Sequence, residues 1–274
     1  MKSKFHEYLK EDIGPGDITS ELVIPSDVKA DGRMLCKEPC VLAGIEEACL
    51  VFKELGVRIV SSKKDGSKAD KGDIVLVVEG SARAILAGER LALNIVMRMS
   101  GIATLTRALM DECRKVNPKV RVAATRKTTP GFRSFEKKAV LVGGGDPHRM
   151  GLYDAVLIKN NHIRIAGGVK EALRRARKGS FTKKVEIEVE TRDQAFVALE
   201  NGADIIMLDN FKPEEAKTLS MELRKKKPGI LIEVSGGIRP ENIEKYASAA
   251  DIISLGWLTH SVKSIDFSMK VEKK

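Results

Sequence analysis

Aromatic residues are the scarcest class in this sequence: its 274 residues include one Trp, three Tyr and eight Phe. Proteins that bind single-stranded nucleic acid need aromatic platforms for base stacking, interleaved with basic residues. That pattern is missing, so the formal net charge of +10 indicates small anionic ligands such as phosphates and carboxylates. A well-hydrated surface is the alternative explanation of this charge. Nucleic acid is not an expected partner.

Long apolar runs are lacking as well. No uninterrupted apolar stretch approaches the roughly 18 residues of a membrane-spanning helix, so no membrane association is expected. The N-terminal segment MKSKFHEYLKEDIG is amphipathic and carries acidic residues, unlike a secretory signal. The four cysteines include no second pair at metal-site spacing. We expect reduced thiols in a cytoplasmic protein.

The first hundred residues contain short β-like runs separated by turns. Strands are predicted at residues 32–36, 41–43, 57–61 and 74–79. Helices are predicted at residues 44–55 and 84–98. These patterns predict a small mixed α/β domain over residues 1–104.

From about residue 120, strand patterns alternate with helical patterns. The strands are predicted at residues 120–124, 155–158, 185–189, 205–208, 230–234 and 252–255, and the helices at residues 169–178, 192–200, 214–226 and 241–249. Such alternation gives parallel strands, and six of them favour an α/β barrel over residues 105–262. An open doubly wound sheet is the alternative. Residues 263–274 are expected to form a C-terminal tail that can return to the N-terminal domain.

A polar residue or glycine lies at or just past the C-terminal end of each predicted barrel strand. These residues are Arg126, Lys159, Glu188, Asp209, Ser235 and Gly256. In a barrel the C-terminal ends of the strands converge on one face, where the loops build the active site. Any one of these residues could be a solvated loop residue, but six in phase with six strands predict a shared site.

Basic residues dominate the first two of these loops. TRKTTPG at 125–131 contains Arg126 and Lys127, and a guanidinium pairs with a carboxylate bidentately. GGGDPHRMGL at 143–152 adds His148 and Arg149 after a glycine-rich turn. The cluster predicts an anionic ligand.

Lys159 and the acids of the next two strands suggest further chemistry. Lys159 could form a Schiff base or pair with a substrate carboxylate. Glu188 and Asp209 offer hard oxygen ligands that suit Mg²⁺, or they could hold ribose hydroxyls. Strand alternation sends Glu186, Glu188 and Glu190 to the same face, which is costly inside a barrel unless they meet cations or a metal.

Glycine-rich loops end the last two strands. They are EVSGGI at 233–238 and SLGWLTHS at 254–261. Such loops form a phosphate cradle from backbone N–H groups, so they predict a phosphorylated ligand and say little about the reaction. No cysteine nucleophile or Ser-His-Asp order accompanies them, which suits a displacement at a sugar phosphate.

Several motifs, in order over nearly the whole chain, resemble the quinolinate phosphoribosyltransferase family. They are EDIGPGDITS at 11–20, ERLALN at 89–94, SGIAT at 100–104, TRKTTPGFR at 125–133, EKKAV at 136–140, GGGDPHRMGL at 143–152, LIKNNH at 157–162, EVE at 188–190, LDNF at 208–211, SGGI at 235–238 and LTHS at 258–261. TRKTTPG together with GGG..HR.GL is specific, whereas SGGI is not. One departure is Asn160, where the family usually has an aspartate beside the strand lysine.

The resemblance implies a fold, a reaction and an assembly. The fold is a mixed α/β domain followed by an incomplete, TIM-like α/β barrel. The reaction transfers phosphoribosyl from phosphoribosyl pyrophosphate to quinolinate with decarboxylation, giving nicotinate mononucleotide, pyrophosphate and CO₂ in NAD biosynthesis, with Mg²⁺ as cofactor. The assembly is a homodimer or a higher homo-oligomer in which Arg90 reaches the partner's site.

The resemblance also implies a role for each site residue. Quinolinate carboxylates or nearby phosphates would be bound by Thr125, Arg126, His148, Arg149 and Lys159. Lys127 would lie towards the pyrophosphate, and Glu188 and Asp209 would face the ribose and the metal, through water or substrate. The 5′-phosphate would be held by Ser235, Gly236, Gly237, Gly256 and His260. The catalytic residues would be Lys127, Lys159, Glu188 and Asp209.

Three other functions are weighed against this one. A related phosphoribosyltransferase could use another acid such as nicotinate, but several cations suit a dicarboxylate better than a monocarboxylate. A barrel lyase could form a Schiff base on Lys159, but acidic and basic clusters adjoin that lysine. A non-catalytic anion-binding or RNA-binding protein would not need the strand-end residues in phase.

Overall fold

The structure is a computed structural model that describes residues 4–179 and 182–274. It divides into two compact units. Unit 1 contains the residues up to Leu105 together with Val262–Lys274, and unit 2 contains Thr106–Ser261. Among the described helices, none combines the length and the apolar character that crossing a membrane requires.

Strands and helices alternate along most of the chain. The strands are β1 (Lys29–Cys36), β2 (Cys40–Val41), β3 (Arg58–Ser62), β4 (Lys68–Ala69), β5 (Ile74–Ser81), β6 (Arg121–Ala123), β7 (Val156–Ile158), β8 (Val185–Val189), β9 (Ile205–Asp209), β10 (Leu231–Ser235), β11 (Ile252–Ser254) and β12 (Phe267–Lys273). The helices are α1 (Lys4–Ile13), α2 (Ile18–Val23), α3 (Ile45–Glu54), α4 (Ala82–Val116), α5 (Arg133–Val142), α6 (Asn160–Ala166), α7 (Val169–Ala176), α8 (Arg192–Glu200), α9 (Pro213–Lys226) and α10 (Trp257–His260).

Unit 1 is built on an antiparallel sheet in the order β12-β1-β5-β3, with β2 and β4 paired separately. Alternate residues of β1 are buried, because successive side chains of a strand point to opposite faces of the sheet. The C-terminal strand β12 pairs with β1 from Ala30 opposite Lys273 to Cys36 opposite Phe267. The C-terminal tail therefore belongs to unit 1.

Helix α4 is longer than the helix predicted at residues 84–98. It continues to Val116, because residues 99–116 contain no proline and are rich in Leu, Ala, Met and Arg, which favour helices. Gly101 lies within it, where a Cβ atom would come within 2.3 Å of the carbonyl oxygen of Lys263. The division between the units falls inside this helix, after Leu105.

Unit 2 contains a six-stranded parallel sheet in the order β6-β11-β10-β9-β8-β7. Strands β7 to β11 neighbour one another in chain order, and β6, the first in the chain, pairs with β11. This cyclic order, with no pairing between β6 and β7, is that of an incomplete barrel. It differs from a doubly wound sheet, where the order reverses at a central strand. The predicted fold class is confirmed.

One predicted helix of unit 2 is wrong, and three short helices, α5, α6 and α10, were not predicted. The segment predicted as a helix at residues 241–249 contains only a 3₁₀ helix at Ile243–Tyr246. Its backbone bonds span three residues, as in Lys245 N–H to the Asn242 carbonyl. The Asn242 side chain bonds to the loop backbone at Arg239 and Gly237, and such local bonds compete with a continuous α-helix. Helices α5 and α6 are short, and the loops before them carry motifs that predict a binding site rather than a helix.

Candidate active site

The C-terminal ends of the barrel strands open into a cavity of about 690 Å³. It is lined by all but one of the predicted site residues, namely Thr125, Arg126, Lys127, His148, Arg149, Lys159, Glu188, Asp209, Ser235, Gly236, Gly237, Gly256 and His260. The exception is Arg90, which is exposed on α4 in unit 1. The alternation of strands and helices thus brings together residues that are up to 135 positions apart in the chain (Thr125 and His260).

The cation side of the cavity consists of Arg126, His148, Arg149 and Lys159, which follow or adjoin the β6 and β7 ends. Arg126 is exposed, whereas Arg149 is buried, and burial lowers the pKa of Arg149, as does the nearby Arg126. Two guanidinium groups that repel each other in one cavity are a site for an anion, which relieves that repulsion.

Lys159 pairs with an acid of the neighbouring strand. Its Nζ donates to Oε2 of Glu188, which is buried at the end of β8. Its backbone N–H donates to Nδ1 of His162 at 2.9 Å, so the start of α6 is fixed as well. In this structure the lysine therefore forms an ion pair, and an incoming carboxylate would share it with Glu188.

Asp209 is the second acid of the cavity. Burial raises the pKa of Asp209, and the nearby Glu188 raises it further, although Lys159 and Lys127 oppose the shift. Asn210 Nδ2 donates to Asp209 Oδ2 at 2.7 Å. Two carboxylates from adjacent strands that disfavour each other's charge are a suitable location for a cation or for hydroxyl donors.

Next to His148 lies a buried acidic pair, Glu186 and Glu233, of which only Glu186 was singled out from the sequence. Nε2 of His148 is 3.5 Å from Oε2 of Glu186 and 3.3 Å from Oε2 of Glu233. Burial alone lowers the pKa of His148, but the two carboxylates outweigh burial and raise it to about 10. The three side chains, His148, Glu186 and Glu233, each offer one nitrogen or oxygen atom that could bind a metal, and in the described ranges these atoms lie within 4.8 Å of one another.

The prediction that Glu186, Glu188 and Glu190 share one face is wrong for Glu190. Glu186 and Glu188 are buried and face the barrel interior, whereas Glu190 is exposed. The reason is that β8 ends at Val189, so the strand alternation no longer applies to Glu190. Each buried acid meets a cation, His148 for Glu186 and Lys159 for Glu188.

Helix α5 holds the loop that carries His148 and Arg149. Lys137 is 1% exposed, and its Nζ donates to the carbonyl oxygens of Pro147 and Arg149, the latter at 2.7 Å. Arg133, one helical turn earlier, donates to the carbonyl oxygen of Met150 at 3.1 Å. Burial lowers the pKa of Lys137 to about 8. Both cations thus fix the backbone on either side of His148.

His148 itself has a left-handed backbone conformation with φ +52°, which is uncommon for a residue other than glycine. Its N–H donates to Oδ1 of Asp146 at 2.7 Å, which helps to hold this turn. Strained backbone of this kind persists only where the surroundings determine it, and it is frequent at functional sites.

The glycine side of the cavity consists of Ser235, Gly236, Gly237 and Gly256, after β10 and β11. Gly236 has φ +84°, and a Cβ atom there would lie 2.4 Å from Oδ1 of Asn210. At Gly256 a Cβ atom would lie 2.7 Å from Cδ of Lys127. Only glycine lets these loops approach their neighbours so closely, and the backbone N–H groups remain available to a phosphate.

Further residues line the cavity without having been predicted: Asn210, Glu233, Arg239 and Trp257. The guanidinium carbon of Arg239 lies 5.7 Å from the centre of the Trp257 ring. Glu233 could have been noticed as an isolated acid within the apolar run ILIEV, and Arg239 as the cation directly after SGGI. Lys137 carried no signal beyond its place in EKKAV.

A parallel barrel whose strand ends combine a cation side, an acidic pair and a glycine side defines a class of protein that binds a phosphorylated ligand beside a second anion. Comparison with known proteins gives the particular family. Models described as the C-terminal and N-terminal domains of quinolinate phosphoribosyl transferase match residues 102–270 and 17–100. The chain belongs to the quinolinate phosphoribosyl transferase family.

Relatives of similar length support this membership. The chain is 50% identical over 269 residues to the probable nicotinate-nucleotide pyrophosphorylase (carboxylating) of Methanocaldococcus jannaschii, covering 96% of this chain and 94% of the relative. It is 45% identical to the protein of that name from Methanothermobacter thermautotrophicus, covering 99% of both. The solved nicotinate-nucleotide pyrophosphorylase of Francisella tularensis is 38% identical with a TM-score of 0.91, covering 98% of this chain and 94% of that one.

Proposed function

We propose that this chain is a phosphoribosyltransferase that converts quinolinate and phosphoribosyl pyrophosphate into nicotinate mononucleotide, pyrophosphate and CO₂. The observation that carries the proposal is that one cavity contains both the cation side and the glycine side. The strands β8 and β9, which carry Glu188 and Asp209 at their ends, lie between β7 and β10. The family membership and the names of the relatives agree with this activity. A role in NAD biosynthesis follows from the product.

In this proposal the cation side receives the dicarboxylate. Arg126, Arg149, Lys159 and His148, with Thr125, bind the two carboxylates, and several cations compensate a dianion better than one would. The glycine side, with His260, receives the 5′-phosphate through backbone N–H groups. Lys127 packs against Gly256 and extends towards the pyrophosphate. The site thus holds the pyridine nitrogen and C1 of the ribose in line for displacement.

The bond changes require few groups of the protein. The C1–O bond to pyrophosphate breaks, and positive charge develops on the ribose ring, close to Glu188 and Asp209, which stabilise it. The pyridine nitrogen supplies the electron pair for the new bond to C1. The ring nitrogen is then cationic, so the electron pair of the C2–carboxylate bond is accommodated in the ring as CO₂ leaves. A proton from solvent then adds at C2.

Mg²⁺ is the proposed cofactor. Glu188 and Asp209 fit it, because they present hard carboxylate oxygens and because burial and the nearby Glu188 raise the pKa of Asp209, a shift that a bound cation would oppose. Two carboxylates are too few for a complete coordination shell, so waters or substrate oxygens would supply the rest. When bound, Mg²⁺ neutralises negative charge on the departing pyrophosphate.

We further propose a homodimer or a higher homo-oligomer in which Arg90 serves the partner's site. The exposure of Arg90 on α4 is compatible with this role. The proposed location is the cytoplasm, which the four cysteines support, since all of them are free thiols.

A product assay tests the function. The purified enzyme is incubated with phosphoribosyl pyrophosphate and quinolinate labelled in the 2-carboxylate, with Mg²⁺ or with a chelator. We expect nicotinate mononucleotide and labelled CO₂ in equal amounts, and loss of both with the chelator. The matched arm uses nicotinate, which lacks the second carboxylate. Faster turnover of nicotinate than of quinolinate would replace the proposal with the related acid phosphoribosyltransferase.

A further inference from the structure

The buried acids Glu186 and Glu233 have no part in the substrate contacts proposed above, although Glu233 lines the cavity, yet both converge on one ring nitrogen of His148. Resting on the proposed function, we propose that Glu186 and Glu233 are positioning residues that hold His148 as an imidazolium, so that its Nδ1 donates a hydrogen bond to a carboxylate of quinolinate and favours a dianionic acid.

The geometry makes the charge of the ring decisive. Both carboxylates contact Nε2, at 3.5 Å and 3.3 Å, so Nδ1 is the ring nitrogen left for a ligand. A neutral imidazole that donates through Nε2 carries a lone pair on Nδ1, which would repel a carboxylate. The imidazolium donates at both nitrogens. The two acids therefore decide whether His148 attracts or repels the substrate.

Burial and the nearby Glu233 raise the pKa of Glu186, whereas His148 and Arg149 lower it. With both acids ionised, the charges around the ring balance only if His148 is cationic. Glu186 faces it from β8 and Glu233 from β10, and Arg149 follows it in the same loop. Glu233 is fully buried, and among the residues described neither of its oxygens accepts a well-aligned hydrogen bond, so the ring nitrogen Nε2 of His148, 3.3 Å from Oε2, is the cationic group that it meets. A buried carboxylate without a donor needs a cation. With Arg149 and an imidazolium, the two negative charges are matched by two positive ones.

The backbone fixes the ring between the acids and the cavity. The left-handed φ of His148 is held from both sides, by Lys137 on the carbonyls of Pro147 and Arg149 and by Asp146 on the His148 N–H. A neutral ring in the same place would leave the two carboxylates without the cation that they contact. The raised pKa of His148 agrees with this arrangement.

The first test is the charge of the ring itself. The chain has four histidines, so ¹⁵N-histidine NMR resolves the rings, and His148→Gln identifies the signal. We expect the His148 ring to stay cationic at about pH 8 in the wild type, where an ordinary histidine of pKa about 6.5 is neutral. In Glu233→Gln the ring should lose its proton at a lower pH. A wild-type His148 ring that is neutral at about pH 8 would overturn the inference.

The second test separates positioning from structural support. Glu233→Gln should raise the KM for quinolinate about tenfold at about pH 9, and much less at about pH 6, where the ring is cationic without help. The KM for phosphoribosyl pyrophosphate should stay unchanged, and Glu233→Asp, which keeps the charge, should lie between the wild type and Glu233→Gln. Glu200→Gln, an exposed acid at the end of α8, is the matched control. If Glu233→Gln does not fold, Glu186→Gln takes its place.

Other outcomes overturn the inference in distinguishable ways. An equal rise of both KM values at every pH would mean that Glu233 only supports the fold. A stoichiometric divalent metal in the purified enzyme that is lost in Glu233→Gln would make the three side chains a metal site. A wild-type enzyme without activity on quinolinate would remove the proposed function and this inference with it, whereas an active enzyme that tolerates Glu233→Gln removes the inference alone.

Discussion

The cation side and the glycine side of the cavity offer positive charge to anions in two different ways. On the cation side, the ends of β6 and β7 present side chains, and other charged residues hold them: Glu188 contacts Lys159, and Glu186 and Glu233 contact His148. On the glycine side, the glycines after β10 and β11 lack a Cβ atom, so backbone N–H groups rather than side chains are offered to an anion. Side-chain charge can be deleted by substitution, whereas backbone donors can only be displaced by added volume. Substitutions on the cation side should therefore weaken quinolinate binding, and substitutions on the glycine side should weaken phosphoribosyl pyrophosphate binding.

Removal of a cation should have the largest effect. Lys159→Ala deletes the charge proposed to bind a carboxylate and leaves Glu188 without its partner. We expect kcat/KM for quinolinate to fall by about 10²-fold or more, because a charge-assisted contact of this kind contributes about 2–5 kcal/mol. The loss should arise largely from quinolinate binding. Steady-state kinetics with each substrate varied in turn measures the effect.

Lys170→Ala, on the exposed face of α7, is the control for removing a lysine from unit 2. Its kinetics should match those of the wild type. Normal turnover of Lys159→Ala at ordinary quinolinate concentration would contradict the assignment of the cation side to the dicarboxylate.

Added volume on the glycine side should have an intermediate effect. Gly236→Ala places a methyl group 2.4 Å from Oδ1 of Asn210 and 2.7 Å from its backbone nitrogen, in a backbone conformation with φ +84°. One of the two loops must move, so the phosphate cradle is displaced. We expect the Kd for phosphoribosyl pyrophosphate to rise about tenfold and the Kd for quinolinate to stay unchanged, as measured by calorimetry with each ligand alone.

Gly229→Ala separates the collision from the strain of a left-handed alanine. Gly229 has φ +94° and open space around the added methyl group, so it incurs the same backbone strain, on the order of 1–2 kcal/mol, away from the cavity. Its Kd values should equal those of the wild type. A Gly236→Ala enzyme that weakens quinolinate binding as much as phosphoribosyl pyrophosphate binding would remove the distinction between the two sides.

The sequence was informative where one strand or loop sufficed to make the inference. Strand ends are recognisable from apolar runs that end in Lys159 or Asp209 and from the alternating strand that contains Glu188, and the order of strands in a barrel brings such ends together. The glycine loops were likewise visible as local motifs. The parallel barrel, its position in the chain and most of the cavity lining were therefore predictable.

The remainder depended on contacts between distant elements. Glu233 meets His148 across 85 positions of the chain, and neither residue carries a local signal of the other. Helix α4 was underestimated because periodicity does not show where a helix ends without a proline or a capping motif. Lys137 is buried because loop carbonyls, rather than an acid, receive its hydrogen bonds, and no sequence pattern indicates such an arrangement.

Lys137 allows the support of the cation side to be tested apart from its charges. Lys137→Met keeps the length of the side chain but leaves the carbonyls of Pro147 and Arg149 without their donor. We expect the KM for quinolinate to rise several-fold, less than for either substitution above, and the free energy of unfolding to fall by about 1–3 kcal/mol. Urea denaturation at two pH values and steady-state kinetics measure the two effects.

The pH dependence distinguishes a buried cation from a lysine that merely fills space. Because burial lowers the pKa of Lys137 to about 8 in the folded state, while the unfolded chain keeps a value near 10.5, the folded state binds fewer protons between those pH values. Stability from this residue therefore rises with pH in that window, by up to about 1.4 kcal/mol per unit. The neutral amine still has two N–H groups for the two carbonyls.

The destabilisation by Lys137→Met should consequently be larger at about pH 9.5 than at about pH 7.5, whereas that of Lys170→Met should be the same at both. If the destabilisation by Lys137→Met does not change with pH, Lys137 is not a desolvated cation in the folded state. The side chains of the cation side would then be held in place by the acids Glu186, Glu188 and Glu233 alone.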